Sequence, residues 1–188
     1  PTSTPTVTFT STPTATSTQT NTPTPTNTAG PSLTPTNTPL ANTFTFIPIA
    51  DAYVNAGSPT TNYGSLTTLR ADNSPVVLSY LRFDVQGLSG TVIQATLRIF
   101  TNSSSSAGYE VRNVTDNSWG ESTINYGNAP AYDAVTSTSG LFGAGVWTTV
   151  DVTPLITGNG TFSIALTTTS NTAFSLASRE SGANAPQL

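Results

Sequence analysis

From Phe44 onward the chain alternates apolar and polar residues in short runs. In Ser79–Val85, leucine, phenylalanine and valine occupy every second position, with tyrosine, arginine and aspartate between them. This period of two places the apolar side chains on one face of a β-strand. The same pattern predicts six further strands, which are Thr45–Val54 (interrupted by Pro48), Ala95–Thr101, Tyr109–Thr115, Val146–Val152, Thr161–Thr168 and Phe174–Ser178.

Clusters of Gly, Asn, Ser and Pro separate these predicted strands and indicate turns. They are Gly87–Gly90, Asn102–Gly108, Gly127–Pro130 and Gly158–Gly160. No long segment shows helical periodicity, and only a short turn is predicted at Thr153–Thr157. Short strands with one apolar face each predict two packed antiparallel sheets. The expected fold is therefore all-β, a jelly-roll-like antiparallel β-sandwich.

The N-terminal segment differs in composition from the rest of the chain. It has no charged residue before Asp51, and eight of the fourteen prolines lie within the first 40 residues. With so little apolar surface, burial cannot offset the entropy lost on ordering. We therefore predict an extended low-complexity tail at 1–43 and one globular domain at 44–188.

The tail has two interpretations, both of which stay open. Thr/Pro-rich segments typically form stalks that carry O-linked glycans. In a strand-like conformation, by contrast, threonines at every second position share one face, although the prolines limit such an arm to a sheet edge. The candidates for O-glycosylation are Thr2, Thr4, Thr6, Thr8, Thr10, Thr12, Thr14, Thr16, Thr18, Thr20, Thr22, Thr24, Thr26 and Thr28.

The residue types that are missing exclude several functional classes. The chain has no Cys, Met, His or Lys. Disulfides, thiolate metal sites and histidine-based catalytic triads are therefore excluded. Five arginines against nine acidic residues give a net charge of −4, which is unfavourable for nucleic-acid binding. No apolar run reaches the ~20 residues of a membrane span, and the Thr/Ser/Asn/Gly-rich composition is typical of proteins exported to the bacterial cell surface.

A series of motifs in the domain resembles a known family. The motifs are Ala50-Asp51-Ala52-Tyr53-Val54, Asn62-Tyr63-Gly64, Leu69-Arg70-Ala71-Asp72, Tyr80-Leu81-Arg82-Phe83-Asp84, Ala95-Thr96-Leu97-Arg98, Trp119 to Tyr126 with Asn128 and Pro130, Trp147, Val150 to Pro154, and Ser178-Arg179-Glu180. Their order over 45–188 resembles the DNRLRE domain family, which is related to carbohydrate-binding module family 96. The resemblance implies a non-catalytic, extracellular β-sandwich that binds glycans in some members. It also implies that a last strand is missing after Leu188, which would leave an exposed sheet edge.

Acidic residues are the remaining candidates for catalysis or metal binding. Glycoside hydrolysis needs two facing carboxyl groups, and the loop candidates are Glu110, Asp116, Glu121 and Asp133. Isolated surface acids are usually solvated, so we predict no enzymatic activity. Calcium, which prefers carboxylate and carbonyl oxygens, is the cofactor to test, with Asp51 and Asp72 as first ligands and Asp116 and Glu180 as others. Alternatively, Asp51 and Asp72 cap turns and Glu180 pairs with an arginine.

Aromatic residues near predicted loops are candidates for stacking on sugar rings. Tyr132 and Trp147 belong to this group, but the predicted ligand-binding residues are Tyr63, Arg70, Arg82, Trp119 and Tyr126. Either arginine would bind a uronate carboxylate through two hydrogen bonds. In the alternative interpretation, both tryptophans fill core or corner positions and the tyrosines anchor turns.

Two functions follow from these observations. The preferred one is a structural protein whose copies form an extracellular filament, because the tail of one copy would add as a strand to the sheet edge of the next. The alternative is a carbohydrate-binding module displayed on a glycosylated stalk, with a polysaccharide as its partner.

Overall fold

The computed structural model of the protein describes residues 42–188, which form one compact unit. These residues contain nine strands and two short 3₁₀ segments, Thr153–Leu155 and Arg179–Asn184. The first segment lies where a short turn was predicted. The strands are β1 (Ala50–Asn55), β2 (Thr68–Asn73), β3 (Val76–Val85), β4 (Thr96–Phe100), β5 (Glu110–Val114), β6 (Val135–Thr138), β7 (Trp147–Asp151), β8 (Gly160–Thr167) and β9 (Phe174–Ala177).

The first sheet is antiparallel and has the order β6-β5-β8-β3-β1. Its centre is β3, the ten-residue strand that pairs with β1 on one side and β8 on the other. The last two residues of strand β2 pair with β3, at Asp72↔Val77 and Asn73↔Val76. The preceding residues of β2 pair in the other layer, so β2 connects the two layers of the sandwich.

The second layer has the order β2-β9-β4-β7. Strand β2 pairs with β9, the bridge Thr101↔Leu176 joins β9 to the end of β4, and β4 pairs with β7. The segment around Gln187 extends this layer, because it pairs with Arg98 of β4. Phe46 and Leu188 exchange two backbone hydrogen bonds of 2.7 and 2.8 Å beside it.

The main core lies between the two layers. The apolar positions of the alternating strands fill it, including Leu81, Phe83 and Val85 of β3, each at most 1% exposed. Leu97 and Ile99 of β4 face them from the second sheet, and both are fully buried. The predicted all-β antiparallel sandwich is thus confirmed, because alternation with a period of two places one residue set of each strand in the core.

A second, smaller core lies on the other face of the first sheet. The segment 115–134, here called the covering segment, folds over this face and contributes Trp119 and Ile124. Both residues contact apolar side chains of β1 and β3, among them Ala52 and Tyr80. The first sheet is therefore apolar on both faces.

The strand predictions were wrong in three places. The predicted strand Thr45–Val54 starts too early, because β1 covers Ala50–Asn55. Strand β2 was missed because its second half, Ala71-Asp72-Asn73, lacks large apolar residues. Strand β6 was missed because no residue of Val135–Thr138 is fully buried, and its hydrogen bonds to β5 define it.

Candidate functional site

Four of the five arginines lie on strands, and each guanidinium group lies over an aromatic ring. The distances from the guanidinium carbon to the ring centroid range from 4.8 to 6.0 Å. The pairs are Arg70–Tyr53, Arg82–Trp119, Arg98–Trp147 and Arg112–Tyr132. Such cation–π contacts stabilise by about 0.5–1 kcal/mol when exposed. The four pairs differ in what else the guanidinium binds, and this difference separates structural pairs from candidate ligand contacts.

The Arg82–Trp119 pair is internal. Trp119 is 7% exposed, and its indole N–H donates to Ser163 Oγ at 3.0 Å. Arg82 Nη1 donates to the carbonyl of Asn117 at 2.8 Å and to that of Trp119. Both groups therefore hold the covering segment against the first sheet, and ligand contact by Arg82 or Trp119 stays a prediction.

The Arg112–Tyr132 pair is partly exposed to solvent, but an acidic residue already neutralises the charge of the arginine. Arg112 forms a 2.8 Å ion pair with Glu110 and donates from Nε to Thr167 Oγ1 at 2.9 Å. Tyr132 is 39% exposed. Hydrogen bonds from Thr167 and Arg112 hold the pKa of Glu110 below its ordinary value, in spite of partial burial.

Arg70 on β2 has neither of these constraints. Its side chain is exposed, and no acidic group among residues 42–188 lies within ion-pair distance of it. Its backbone N–H and C=O bind Ser79 Oγ at 3.0 and 2.7 Å, which fixes the strand at this point. The guanidinium carbon lies 6.0 Å from the ring centroid of Tyr53. The ring of Tyr63 stacks on the ring of Tyr53, with centroids 4.2 Å apart.

The Asn62-Tyr63-Gly64 motif explains the position of Tyr63. The Asn62 amide donates to the carbonyls of Glu121 and Ile124, both at 2.7 Å. Gly64 lies directly against the backbone of Glu121, where an added Cβ would come within 2.1 Å of the carbonyl oxygen. Only glycine fits this contact, so the motif clamps the loop and holds Tyr63 against Tyr53, the ring over which Arg70 lies.

A shallow depression of about 340 Å³ adjoins Arg70 on the outer face of the second sheet. We call it the arginine depression. Its lining joins β2, β9 and the end of β4, because Ser103 Oγ accepts the backbone N–H of Ser175 at 2.8 Å. The lining residues are Thr68, Arg70, Ser103, Ala173, Phe174 and Ser175. A guanidinium and several hydroxyl groups therefore face one open surface.

The five predicted ligand residues thus fall into two separate groups. Arg70 lines the arginine depression, and Tyr63 is linked to it through Tyr53, because Tyr63 stacks on the ring over which the Arg70 guanidinium lies. Arg82, Trp119 and Tyr126 belong to the covering segment or lie beneath it. Tyr126 is 38% exposed beside a turn that its neighbour Gly127 ties to the carbonyl of Pro59.

The depression also contains residues that were not among the predicted ones. Thr68, Ser103 and Ser175 carry no motif of their own, since hydroxyl residues are abundant along the chain. Tyr53 was noted only as part of a family motif. Alternation along β1 places it on the same face as Asp51 and Asn55, but no local pattern indicates that Arg70 lies beside it.

Three carboxylates form a cluster at the end of β1. Asp51, Glu121 and Glu180 each offer one oxygen, and these oxygens lie within 4.8 Å of one another. Arg179 lies among them, bonded from Nε and Nη2 to Glu121 at 2.5 and 2.8 Å and from Nε to Glu180 at 2.9 Å. Such oxygens suit a hard cation such as calcium, but here an arginine already balances much of their charge.

Asp51 differs from the other acidic residues because it is almost completely buried, at 1% exposure. Loss of hydration on burial raises the pKa of its carboxyl group to about 7, against a lowering contribution from the Arg179 N–H, which donates to Oδ2 at 2.8 Å. The negative charges of Glu180 and Glu121 raise the pKa further. Asp51 therefore changes its protonation state near neutral pH.

The other acidic candidates form hydrogen bonds with nearby residues and do not join the cluster. Asp72, predicted as a calcium ligand with Asp51, is not part of the acidic cluster and accepts the backbone N–H of Ser74 at 3.2 Å. Hydrogen bonds from the Ser118 side chain and from the Ser118 backbone N–H, the latter at 2.7 Å, lower the pKa of the Asp116 carboxyl group. Asp133 accepts the side-chain amide of Asn113 at 2.7 Å. Each is thus accounted for by a turn or a local hydrogen bond.

Comparison with known proteins identifies the family. No curated protein matches the chain significantly. In the described part of the chain, no helix is long and apolar enough to cross a membrane. The sequence profile described as carbohydrate-binding module family 96 matches residues 42–188, the whole of the compact unit. The chain therefore belongs to carbohydrate-binding module family 96.

Proposed function

We propose that this protein is a non-catalytic, extracellular module that binds a polysaccharide at the arginine depression. Membership of carbohydrate-binding module family 96 is the observation that carries the proposal. It favours the alternative of the two sequence-based hypotheses over the filament.

The geometry around Arg70 supports this location. An arginine without an acidic partner can donate several hydrogen bonds to sugar hydroxyls or to a uronate carboxylate. The hydroxyls of Thr68, Ser103 and Ser175 supply further donors and acceptors along the same surface. Tyr63 does not line the depression, but its stack on Tyr53 supports the ring over which the Arg70 guanidinium lies. Polar groups converging on a preformed surface are typical of ligand sites.

The test is affinity gel electrophoresis in gels that contain one polysaccharide each: pectate and alginate as polyuronates, xylan and mixed-linkage β-glucan as neutral chains. We expect at least one gel to retard the wild-type protein and the retardation to be lost in Arg70→Gln. Arg112→Gln is the matched control, since it also removes an arginine stacked on a tyrosine, but on the opposite sheet. Thermal unfolding of each variant checks that the fold is intact.

Two results would contradict the proposal. One is migration of the wild-type protein that none of the four polysaccharides changes at high protein concentration. The other is a polysaccharide that retards Arg70→Gln as strongly as the wild type but fails to retard Arg112→Gln, which would place the site on the first sheet.

Several earlier predictions stay predictions. The filament and the O-glycosylated stalk depend on residues 1–41, which lie outside the described residues. Calcium binding at Asp51 also stays a prediction, with Glu121 and Glu180 as its neighbours in place of Asp72.

A further inference from the structure

We propose that the bound polysaccharide extends beyond the arginine depression, across the outer face of the second sheet, onto a row formed by Arg98, Phe100 and Trp147. We call this row the aromatic ridge. The inference rests on the proposed function and adds a second contact region to it. The protein would then bind a stretch of polymer rather than a single sugar.

The aromatic ridge is a cross-strand cluster on β4 and β7. Phe100 and Trp147 lie directly opposite each other, with ring centroids 5.6 Å apart in an edge-to-face arrangement. The guanidinium of Arg98 lies 4.8 Å from the Trp147 ring centroid. All three residues alternate with buried neighbours such as Leu97 and Ile99, so their side chains point outward.

Arg98 is as free as Arg70. No acidic group of the described domain lies within ion-pair distance, and its side-chain partner is Gln187 Oε1 at 2.9 Å. Arg112, by contrast, is held by Glu110 and Thr167. The structure thus leaves two strand arginines exposed and without an acidic partner, and both lie on the outer face of the same sheet.

The strand register connects the two regions without interruption. Arg70 of β2 lies opposite Ser175 of β9. The carbonyl of Ser175 accepts the backbone N–H groups of Asn102 and Ser103 at 3.0 and 3.3 Å, immediately after β4. Two residues before Asn102, Phe100 lies opposite Trp147 of β7. This path crosses three interstrand spacings of ~4.8 Å, or about 14 Å in total, which exceeds one sugar ring.

The chemistry of the path suits a sugar chain. Aromatic rings offer apolar surface to the C–H faces of pyranose rings, and the intervening hydroxyl and amide groups can bind sugar hydroxyls. The exposed arginines at the two ends favour a chain that carries acceptor groups, including carboxylates. A second copy of this protein is a different occupant of the ridge, and the test distinguishes it.

The test compares galacturonate with tri- and hexagalacturonate, and xylose with xylotriose and xylohexaose, by isothermal titration calorimetry with wild type, Trp147→Ala, Arg98→Gln and Arg70→Gln. We expect affinity to rise from monomer to hexamer in the series that binds. Trp147→Ala should lower hexamer affinity about tenfold or more but leave monomer binding at Arg70 nearly unchanged, because only a chain of several residues reaches the ridge. Tyr132→Ala removes an exposed ring on the opposite sheet and is the matched control.

Tryptophan fluorescence gives a second readout. Hexamer binding should change the emission of Trp147, and the change should disappear in Trp147→Phe, because Trp119 is buried. The inference is overturned if Arg70→Gln abolishes binding while both ridge variants keep wild-type hexamer affinity. That outcome leaves the proposed function intact.

Two further results would also overturn the inference. A wild-type protein that binds neither series overturns the inference for both sugar classes, whereas retention in the polysaccharide gels would still support the proposed function. Sedimentation that shows a wild-type dimer and a monomeric Trp147→Ala variant would assign the ridge to contact between copies and overturn the inference.

Discussion

The two tryptophans occupy opposite environments although each lies against an arginine. Trp119 is covered by the segment that carries it, bonds to Ser163 and contacts the small core on the first sheet. Trp147 lies on the outer face of the second sheet, beside Phe100 and an arginine without an acidic partner. The same pair of residue types thus serves packing on one sheet and is open to solvent on the other.

This comparison shows what distinguishes a structural aromatic residue from a candidate binding residue. On the first sheet, the Arg82 guanidinium that lies over Trp119 donates its hydrogen bonds to backbone carbonyls of the covering segment. On the second sheet, neither Arg70 nor Arg98 has an acidic group of residues 42–188 within ion-pair distance, and Arg98 donates one hydrogen bond to the side chain of Gln187. Unused hydrogen-bonding capacity, rather than the presence of an aromatic ring, points to the ligand surface.

The largest expected effect is on stability, from replacing the buried tryptophan. Trp119→Ala should lower the free energy of unfolding by about 3–5 kcal/mol, because it leaves a cavity under the covering segment. Trp147→Ala should cost only about 1–2 kcal/mol, since it removes a surface cross-strand pair and a cation–π contact. Urea denaturation of both variants measures the difference. Equal losses would mean that the two environments do not differ as described.

Lowering the pH should increase the free energy of unfolding of the domain through the protonation of Asp51. The folded-state pKa of about 7 exceeds the ordinary value of 3.8, so the folded protein retains this proton while the unfolded chain releases it. Stability should therefore fall as pH rises from about 4 to about 7, by roughly 2–4 kcal/mol from this group. Asp51→Asn, which is uncharged throughout, should be more stable than wild type at pH 8, and the difference should disappear below about pH 4, where Asp51 is protonated in both the folded and the unfolded protein. Parallel melting curves of the two proteins would contradict this.

A smaller effect is expected from the arginines. Arg82→Met should destabilise the fold by about 1.5–3 kcal/mol, because two carbonyls of the covering segment lose their donor. Arg98→Met should change stability by less than about 1 kcal/mol, since its guanidinium is exposed. Chemical denaturation compares the two. A larger loss for Arg98→Met would show that the aromatic ridge is mainly structural.

The smallest perturbation is spectroscopic and needs no change in stability. Acrylamide should quench the wild-type tryptophan emission mainly through Trp147, because Trp119 is 7% exposed. In Trp147→Phe the remaining emission should resist acrylamide and lie at shorter wavelength. Steady-state fluorescence titration checks this, and strong quenching of the variant would indicate that the covering segment opens in solution.

The site was predictable from the sequence only in part. Tyr63 and Arg70 were named as ligand candidates, and both lie against Tyr53, Tyr63 by ring stacking and Arg70 through its guanidinium. Arg82 and Trp119 were named on the same grounds, but they pair beneath the covering segment. Each arginine follows a leucine in one of the family motifs, Leu69-Arg70 and Leu81-Arg82, so the local sequence does not distinguish them. The difference depends on which sheet face a distant segment covers.

The acidic cluster illustrates the same limit at longer range. Asp51, Glu121 and Glu180 come from three segments that are far apart in the chain. Asp51 and Asp72 were named together as calcium ligands because hard cations prefer carboxylate oxygens. The structure instead places Asp72 at a turn, where it accepts a hydrogen bond from Ser74. Proximity between residues so distant in sequence is created by the packing of the sandwich.

By itself, the sequence determined the fold class and the exclusions. Alternation with a period of two is a local property of the chain, and it specifies one apolar face for each strand whatever the strand order. The absence of cysteine and histidine likewise excludes chemistry without reference to structure. The tertiary structure alone decided which arginine–aromatic pairs are buried and which stay open, and that Asp51 lies among three charged groups. These outcomes depend on long-range packing, because burial and pKa are set by neighbours that the chain brings together only on folding.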